Sequence, residues 1–123
     1  MKNRILALAA LIEAGTGLLL LVYPSIVVHV LFGAEIGGIA TVLGRFGGIC
    51  LLGLGVGCWP RSTAVQQLYG MVTYNTVAML YLIYIGLLGK TVGVLLWPAV
   101  VAHAVLLSLL VSAQFAERKT PAV

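Results

Sequence analysis

Four long apolar runs, separated by short polar breaks, constrain this chain more than any other feature. They cover residues 4–23, 39–59, 65–88 and 92–115. A helix that crosses the roughly 30 Å hydrocarbon core of a bilayer needs about 20 apolar residues, and each run supplies that length. Because backbone groups in hydrocarbon must be hydrogen-bonded within the chain, the runs predict helices. We therefore expect an all-α, four-helix transmembrane bundle that forms one domain over residues 1–123.

The composition agrees with lipid as the main solvent. Hydrophobic residues make up 62% of the 123 residues and charged residues 8%, against about 45–50% and 25% in soluble domains. The seven basic residues are scattered, mostly at predicted helix ends. A nucleic-acid binder would collect them on one exposed face, so nucleic-acid binding is not expected.

The segment 24–38, between the first two spans, is too short to cross a membrane. Pro24 ends the first span because proline cannot continue the helical hydrogen-bond pattern. The residues that follow mix apolar and polar types and end in Gly37 and Gly38. The sequence favours a short interfacial helix here and leaves a partly re-entrant helix open.

Basic residues near the span ends predict the orientation of the chain. If the N-terminus is cytoplasmic, only Lys90 of the loop charges lies outside. The residues then placed inside are Lys2, Arg4, Arg61, Arg118 and Lys119. Cytoplasmic loops carry an excess of Lys and Arg. We therefore predict a multi-pass protein of the cytoplasmic (inner) membrane with both termini in the cytoplasm. Its expected partners are the lipid bilayer and either further copies of the chain or a larger membrane complex.

Each span carries one strongly polar residue near mid-membrane. These residues are Glu13, Arg45, Asn75 and His103. A charged side chain at that depth costs about 2.5–3.5 kcal/mol even on the lenient insertion scale. Glu13 and Arg45 are the only oppositely charged residues near mid-membrane, so we predict that they turn inward and form a buried ion pair. The cluster is either a structural clasp that fixes helix order or a site that binds a ligand or handles protons.

The histidines and cysteines do not predict a metal, a haem or a disulfide. His103 lies at mid-membrane, whereas His29 lies near the predicted outer surface. Cys50 and Cys58 are about 12 Å apart along one predicted helix, which is too far for a disulfide. We predict that both cysteines are small buried hydrophobes, and we expect no metal or cofactor.

Two tyrosines of the third span have two interpretations. Tyr74 and Tyr81 lie near one helix face, where aromatic residues usually pack against neighbours. They could also line an apolar pocket for a lipid, a quinone or a similar ligand.

The second span is rich in glycine. Gly37, Gly44, Gly48 and Gly55 fall within a sector of about 40° on a helical projection. Small residues let two helix backbones approach closely inside a membrane. The stripe predicts a close helix contact within the bundle, or alternatively an interface between subunits.

Several short motifs in the first half of the chain have a counterpart in a known family. They are Pro24 at the end of the first span, Leu31-Phe32-Gly33, Arg45-Phe46-Gly47-Gly48 and Leu52-Gly53-Leu54-Gly55. With these motifs the chain resembles small four-helix bacterial membrane proteins of the DoxX-like kind. The resemblance implies the four-helix fold and assigns no activity.

The functional prediction is a small, non-enzymatic integral membrane protein that acts as an accessory or interaction subunit. Common nucleotide-binding, zinc-protease and serine-hydrolase signatures are absent from the sequence, and Glu13 is the only carboxylate inside a span. The alternative is a carrier or binding protein for a small apolar or protonatable ligand, which would use Glu13, Arg45, Asn75 and His103.

Overall fold

The computed structural model describes residues 1–61 and 65–118, and every regular element in these ranges is a helix. The helices are α1 (Lys2–Val22), α2 (Pro24–Phe32), α3 (Ile39–Gly57), α4 (Val65–Leu88) and α5 (Leu96–Arg118). All except α2 are long and apolar enough to cross a membrane. The predicted all-α fold, with four spans and a short helix between the first two, is therefore confirmed.

The helix boundaries agree with the predicted spans except at α5. This helix begins at Leu96, whereas the predicted span began at residue 92, and it continues to Arg118. Lys119, one of the basic residues used to predict the orientation, lies outside the described residues.

The late start of α5 follows from a contact with α2. The Gly93 N–H donates to the Leu31 carbonyl at 2.9 Å, and the Leu95 N–H donates to the Val30 carbonyl at 2.8 Å. The last carbonyls of a helix have no partner within it, so they are free to accept such bonds. These two bonds join the end of α2 to the segment that leads into α5.

The helices form two antiparallel pairs. In one pair α1 packs along α3, and in the other α4 packs along α5. Contacts between α1 and α5 join the two pairs, and α2 packs at one end against α1, α3 and α5. We call this end of the bundle the α2 end, and the opposite end, where α1 begins and α5 finishes, the terminal end.

A glycine seam, formed by Gly17, Gly48 and Gly55, holds α1 against α3. A Cβ atom added to Gly48 would lie 2.6 Å from the Gly17 carbonyl oxygen, and one added to Gly55 would lie 2.6 Å from the Ala10 carbonyl oxygen. No side chain fits at these distances. The close approach therefore depends on hydrogen atoms at these positions.

The remaining glycines of the predicted stripe differ from one another. Gly44 meets Pro24 at the start of α2, where an added Cβ would lie 3.0 Å from the proline Cβ. Gly37 has no neighbour within 4 Å, because it precedes α3 and lies beyond the seam. The predicted contact thus involves Gly44, Gly48 and Gly55, and the partner helices belong to the same chain.

The hydrophobic core is concentrated at the terminal end. Its buried residues are Leu6, Ala9, Ala10, Cys58, Leu68, Met71, Leu106 and Leu110. Cys58 thus lies in the core as predicted, but Cys50 is exposed. The prediction for Cys50 is wrong because α3 packs mainly through one face and leaves its outer face uncovered.

Candidate functional site: a groove at the α2 end

A large apolar groove lies at the α2 end, between the two helix pairs. Its volume is about 650 Å³, which is within the range of about 300–1,000 Å³ found for small-molecule sites. Side chains from all five helices line it. Leu19, Leu43 and Tyr81 in its walls are each more than half exposed, so the groove opens on the side of the bundle.

The groove exists because α3 and α4 stay apart. The glycine seam holds α3 on α1, and the described parts of α3 and α4 make almost no contact with each other. Gly47 and Leu51 of α3 form one wall, and Ala78 and Tyr81 of α4 form the facing wall. In lipid no hydrophobic force draws two such helices together, so the gap can persist.

A buried acid lies at the inner end of the groove. Glu13 is 2% exposed and lines the groove, yet its Oε1 atom has no hydrogen-bond partner. The carboxyl group does form a side-chain hydrogen bond with Tyr74. A buried polar atom left unpaired costs about 1–3 kcal/mol, so an unpaired carboxyl oxygen on a residue that lines a cavity points to a ligand-binding role.

A chain of hydrogen bonds determines which ring nitrogen of His103 carries hydrogen. Asn75 Nδ2 donates to the Met71 carbonyl at 2.9 Å. Because a carbonyl can only accept, this bond sets the orientation of the amide. Asn75 Oδ1 therefore accepts from His103 Nδ1, at 2.9 Å. In the neutral imidazole, Nε2 is then the acceptor.

Tyr74 joins the two halves of the site. Besides its bond to Glu13, its ring packs edge-on against His103, with centroids 5.9 Å apart and planes at 71°. Thr16, one turn along α1 from Glu13, also lines the groove. We call Glu13, Thr16, Tyr74 and His103 the polar end of the groove. Asn75 is fully buried behind His103 and orients it.

The predicted Glu13–Arg45 ion pair is not formed. Arg45 is exposed on α3, and no ion pair joins it to Glu13 within the described ranges. The seam turns the glycine face of α3 toward α1, which places Arg45 on the outer face with the exposed Val42 and Ile49. Glu13 turns instead toward Tyr74 on α4.

The structure thus brings together three of the four predicted mid-membrane residues and adds others. Asn75 and His103 are bonded directly, and Glu13 is joined to them through Tyr74. Sequence reasoning did not place Tyr74 in the polar cluster. It did consider Tyr74 and Tyr81 as pocket residues, and both line the groove. The available signal was the spacing of these tyrosines with small residues on one face of α4.

Fold and groove together define a class: a small multi-pass membrane protein whose side-opening groove ends on a buried acid. Among the described residues, no group of three or more His, Cys, Asp or Glu residues could hold a metal ion. No family model, curated protein sequence or solved structure matches the chain. The resemblance to DoxX-like proteins therefore stays a prediction.

Proposed function

We propose that this protein binds a small amphiphilic molecule inside the membrane, without chemical conversion. The observation that carries the proposal is the Oε1 atom of Glu13, buried and unpaired at the end of an apolar groove. Apolar walls with a few polar groups at one point are typical of small-molecule sites. The walls would hold the apolar body of the ligand, and the polar end would hold its head.

The ligand would enter sideways from the bilayer. The exposed residues Leu43 on α3 and Tyr81 on α4 flank the opening, while Val27, Val28 and Leu31 of α2 close the end of the groove. We further propose that both termini are cytoplasmic, as the distribution of basic residues predicts. The groove would then open in the outer half of an inner membrane.

A pair of tryptophan substitutions on α4 tests the proposal. Ala78→Trp places a large ring in the groove, whereas Val77→Trp places the same ring on an exposed position outside it. We expect native mass spectrometry of the gently extracted protein to show a retained small molecule in wild type and in Val77→Trp, and to show its loss in Ala78→Trp. If Ala78→Trp retains as much ligand as Val77→Trp, the groove is not the binding site.

A second candidate function is an accessory or interaction subunit, which one observation favours. Arg45 is exposed on a span whose outer face also carries Val42, Phe46 and Ile49. An arginine facing lipid is costly, and an acidic partner helix in a larger complex would offset that cost. Cross-linking from a cysteine placed at Ile49, compared with one placed at Val77 on α4, would test it, with Cys50→Ala in both variants because Cys50 is exposed on α3. Capture of a discrete partner only from α3 would support the subunit, and its absence would count against it.

A further inference from the structure

We infer that the groove selects an amphiphile whose head is an ammonium group bearing N–H bonds, and so takes alkylamines as its ligand class. The inference rests on the proposed function and specifies the head group of its ligand. It follows from the polar atoms that remain unpaired at the polar end, and from the charges around them.

The first step is an inventory of donors and acceptors. The hydrogen on Nδ1 of His103 is used on Asn75, and the Tyr74 side chain is engaged with Glu13. Three groups then remain for a ligand: Oε1 of Glu13, Nε2 of His103 and the hydroxyl of Thr16, which can accept as well as donate. An ionised carboxyl and the unsubstituted nitrogen of a neutral imidazole both accept hydrogen bonds. The ligand head that complements them is a donor with more than one N–H.

The second step concerns charge. Neither Lys nor Arg is among the described residues that line the groove, and Arg45 lies on the outer face of α3. A carboxyl group buried in apolar surroundings stays ionised only when a counter-charge lies nearby. An ammonium head supplies that charge together with a charge-assisted hydrogen bond, about twice as strong as a neutral one. A carboxylate or phosphate head would bring acceptors against acceptors, so the site excludes acidic lipids.

The third step concerns the walls next to the acid. Tyr74 and Tyr81 lie on the same side of the groove. Aromatic faces attract ammonium groups within about 6 Å. Apart from Glu13, Thr16 and His103, the remaining lining residues are aliphatic, glycine, proline or phenylalanine. One carboxyl group, two tyrosines and an aliphatic channel therefore suit a single positive head on an unbranched hydrocarbon tail.

Four probes with the same tail and different heads test the inference. They are dodecylammonium, dodecyltrimethylammonium, dodecanol and dodecanoate, titrated into the whole protein in zwitterionic lipid nanodiscs, with empty nanodiscs as the baseline. We expect dodecylammonium to bind about tenfold more tightly than dodecanol. Dodecyltrimethylammonium, which cannot donate a hydrogen bond, should bind several-fold more weakly than dodecylammonium, and dodecanoate should show no specific binding.

Two matched carboxyl-to-amide substitutions locate the effect. Glu13→Gln keeps the size and one acceptor of the side chain but removes its charge. Glu35→Gln changes an exposed carboxyl group outside the groove, bonded to His29 at 2.9 Å. We expect Glu13→Gln to lower dodecylammonium affinity about tenfold while leaving dodecanol affinity unchanged, and Glu35→Gln to affect neither. Thermal unfolding of both variants confirms that they are folded.

The outcomes separate this inference from the proposed function. If dodecanol and dodecylammonium bind equally in wild type and in Glu13→Gln, the ammonium head is refuted, although the groove still binds amphiphiles. If dodecyltrimethylammonium matches dodecylammonium, the requirement for N–H donors is refuted. If no probe binds, or if every probe binds Ala78→Trp as tightly as it binds wild type, the proposed function itself fails.

Discussion

The two ends of the bundle are built from the same four long helices, yet one end is solid and the other is hollow. At the terminal end, Leu6, Met71 and Leu110 are completely buried and belong to a single hydrophobic core. At the α2 end, the same helices enclose a groove of about 650 Å³. Both ends are apolar, so hydrophobicity does not account for the difference.

This difference indicates that helices in lipid pack closely only where their surfaces are complementary. In water the hydrophobic effect would favour closing an apolar gap between helices. In a bilayer this force is absent, because lipid tails are as apolar as the helix surfaces. At the glycine seam, backbone meets backbone and α1 holds α3. Between the described parts of α3 and α4 almost no contact forms, and the space remains available to a ligand.

The largest expected loss of stability is at the glycine seam, which holds α3 on α1 and so keeps α3 apart from α4 at the groove. Gly48→Ala would place a Cβ 2.6 Å from backbone atoms of Gly17 and Leu21. Because backbone cannot move aside cheaply, we expect the free energy of unfolding to fall by about 3 kcal/mol, at the upper end for overpacking. Unfolding by denaturing detergent in mixed micelles measures this loss of unfolding free energy.

Gly53→Ala is the matched control for the seam. It lies on the same helix with no neighbour within 4 Å, and alanine is the better helix former by roughly 0.5–1 kcal/mol. The control should therefore be neutral or slightly stabilising. Equal stability of the two variants would show that α1 and α3 are not in backbone contact.

The next effect compares the solid and hollow ends directly. Met71→Ala removes side-chain volume from the buried core, where we expect a loss of about 2 kcal/mol of unfolding free energy from the cavity created. Leu20→Ala removes a similar side chain from the groove wall, where a cavity already exists, so its loss should be below about 1 kcal/mol. Detergent unfolding of both variants measures the contrast, and equal losses would contradict it.

The smallest expected effect is the coupling between Asn75 and His103, which links the core to the groove. A double-mutant cycle with Asn75→Leu and His103→Phe should give a coupling of about 0.6 kcal/mol, the average for hydrogen bonds between membrane helices. Thr76→Val is the control, since the Thr76 hydroxyl donates to the Val72 carbonyl of its own helix at 2.8 Å. A coupling between Thr76 and His103 as large as that of Asn75 would argue against the bond.

The polar cluster shows how far reasoning from sequence extends. The length of each apolar run places Glu13, Asn75 and His103 at similar depth, and the cost of exposing polar groups to lipid predicts that they turn inward and meet. The rotation of each helix about its axis is not encoded by depth. Arg45 has the right depth, but the seam rotates α3 so that this residue faces outward. Tyr74 was overlooked because its bond to Glu13 depends on how α4 faces α1.

Sequence alone determined that the chain is helical, how many spans it has and at what depth the polar groups lie, because hydrocarbon allows few backbone structures and makes span length readable. Only the tertiary structure decided which faces meet, where the bundle stays open and which acid is left unpaired. Those features depend on close contact between residues far apart in sequence, such as Gly17 with Gly48 and Glu13 with Tyr74. Lipid supplies no general force that would have made the same choice.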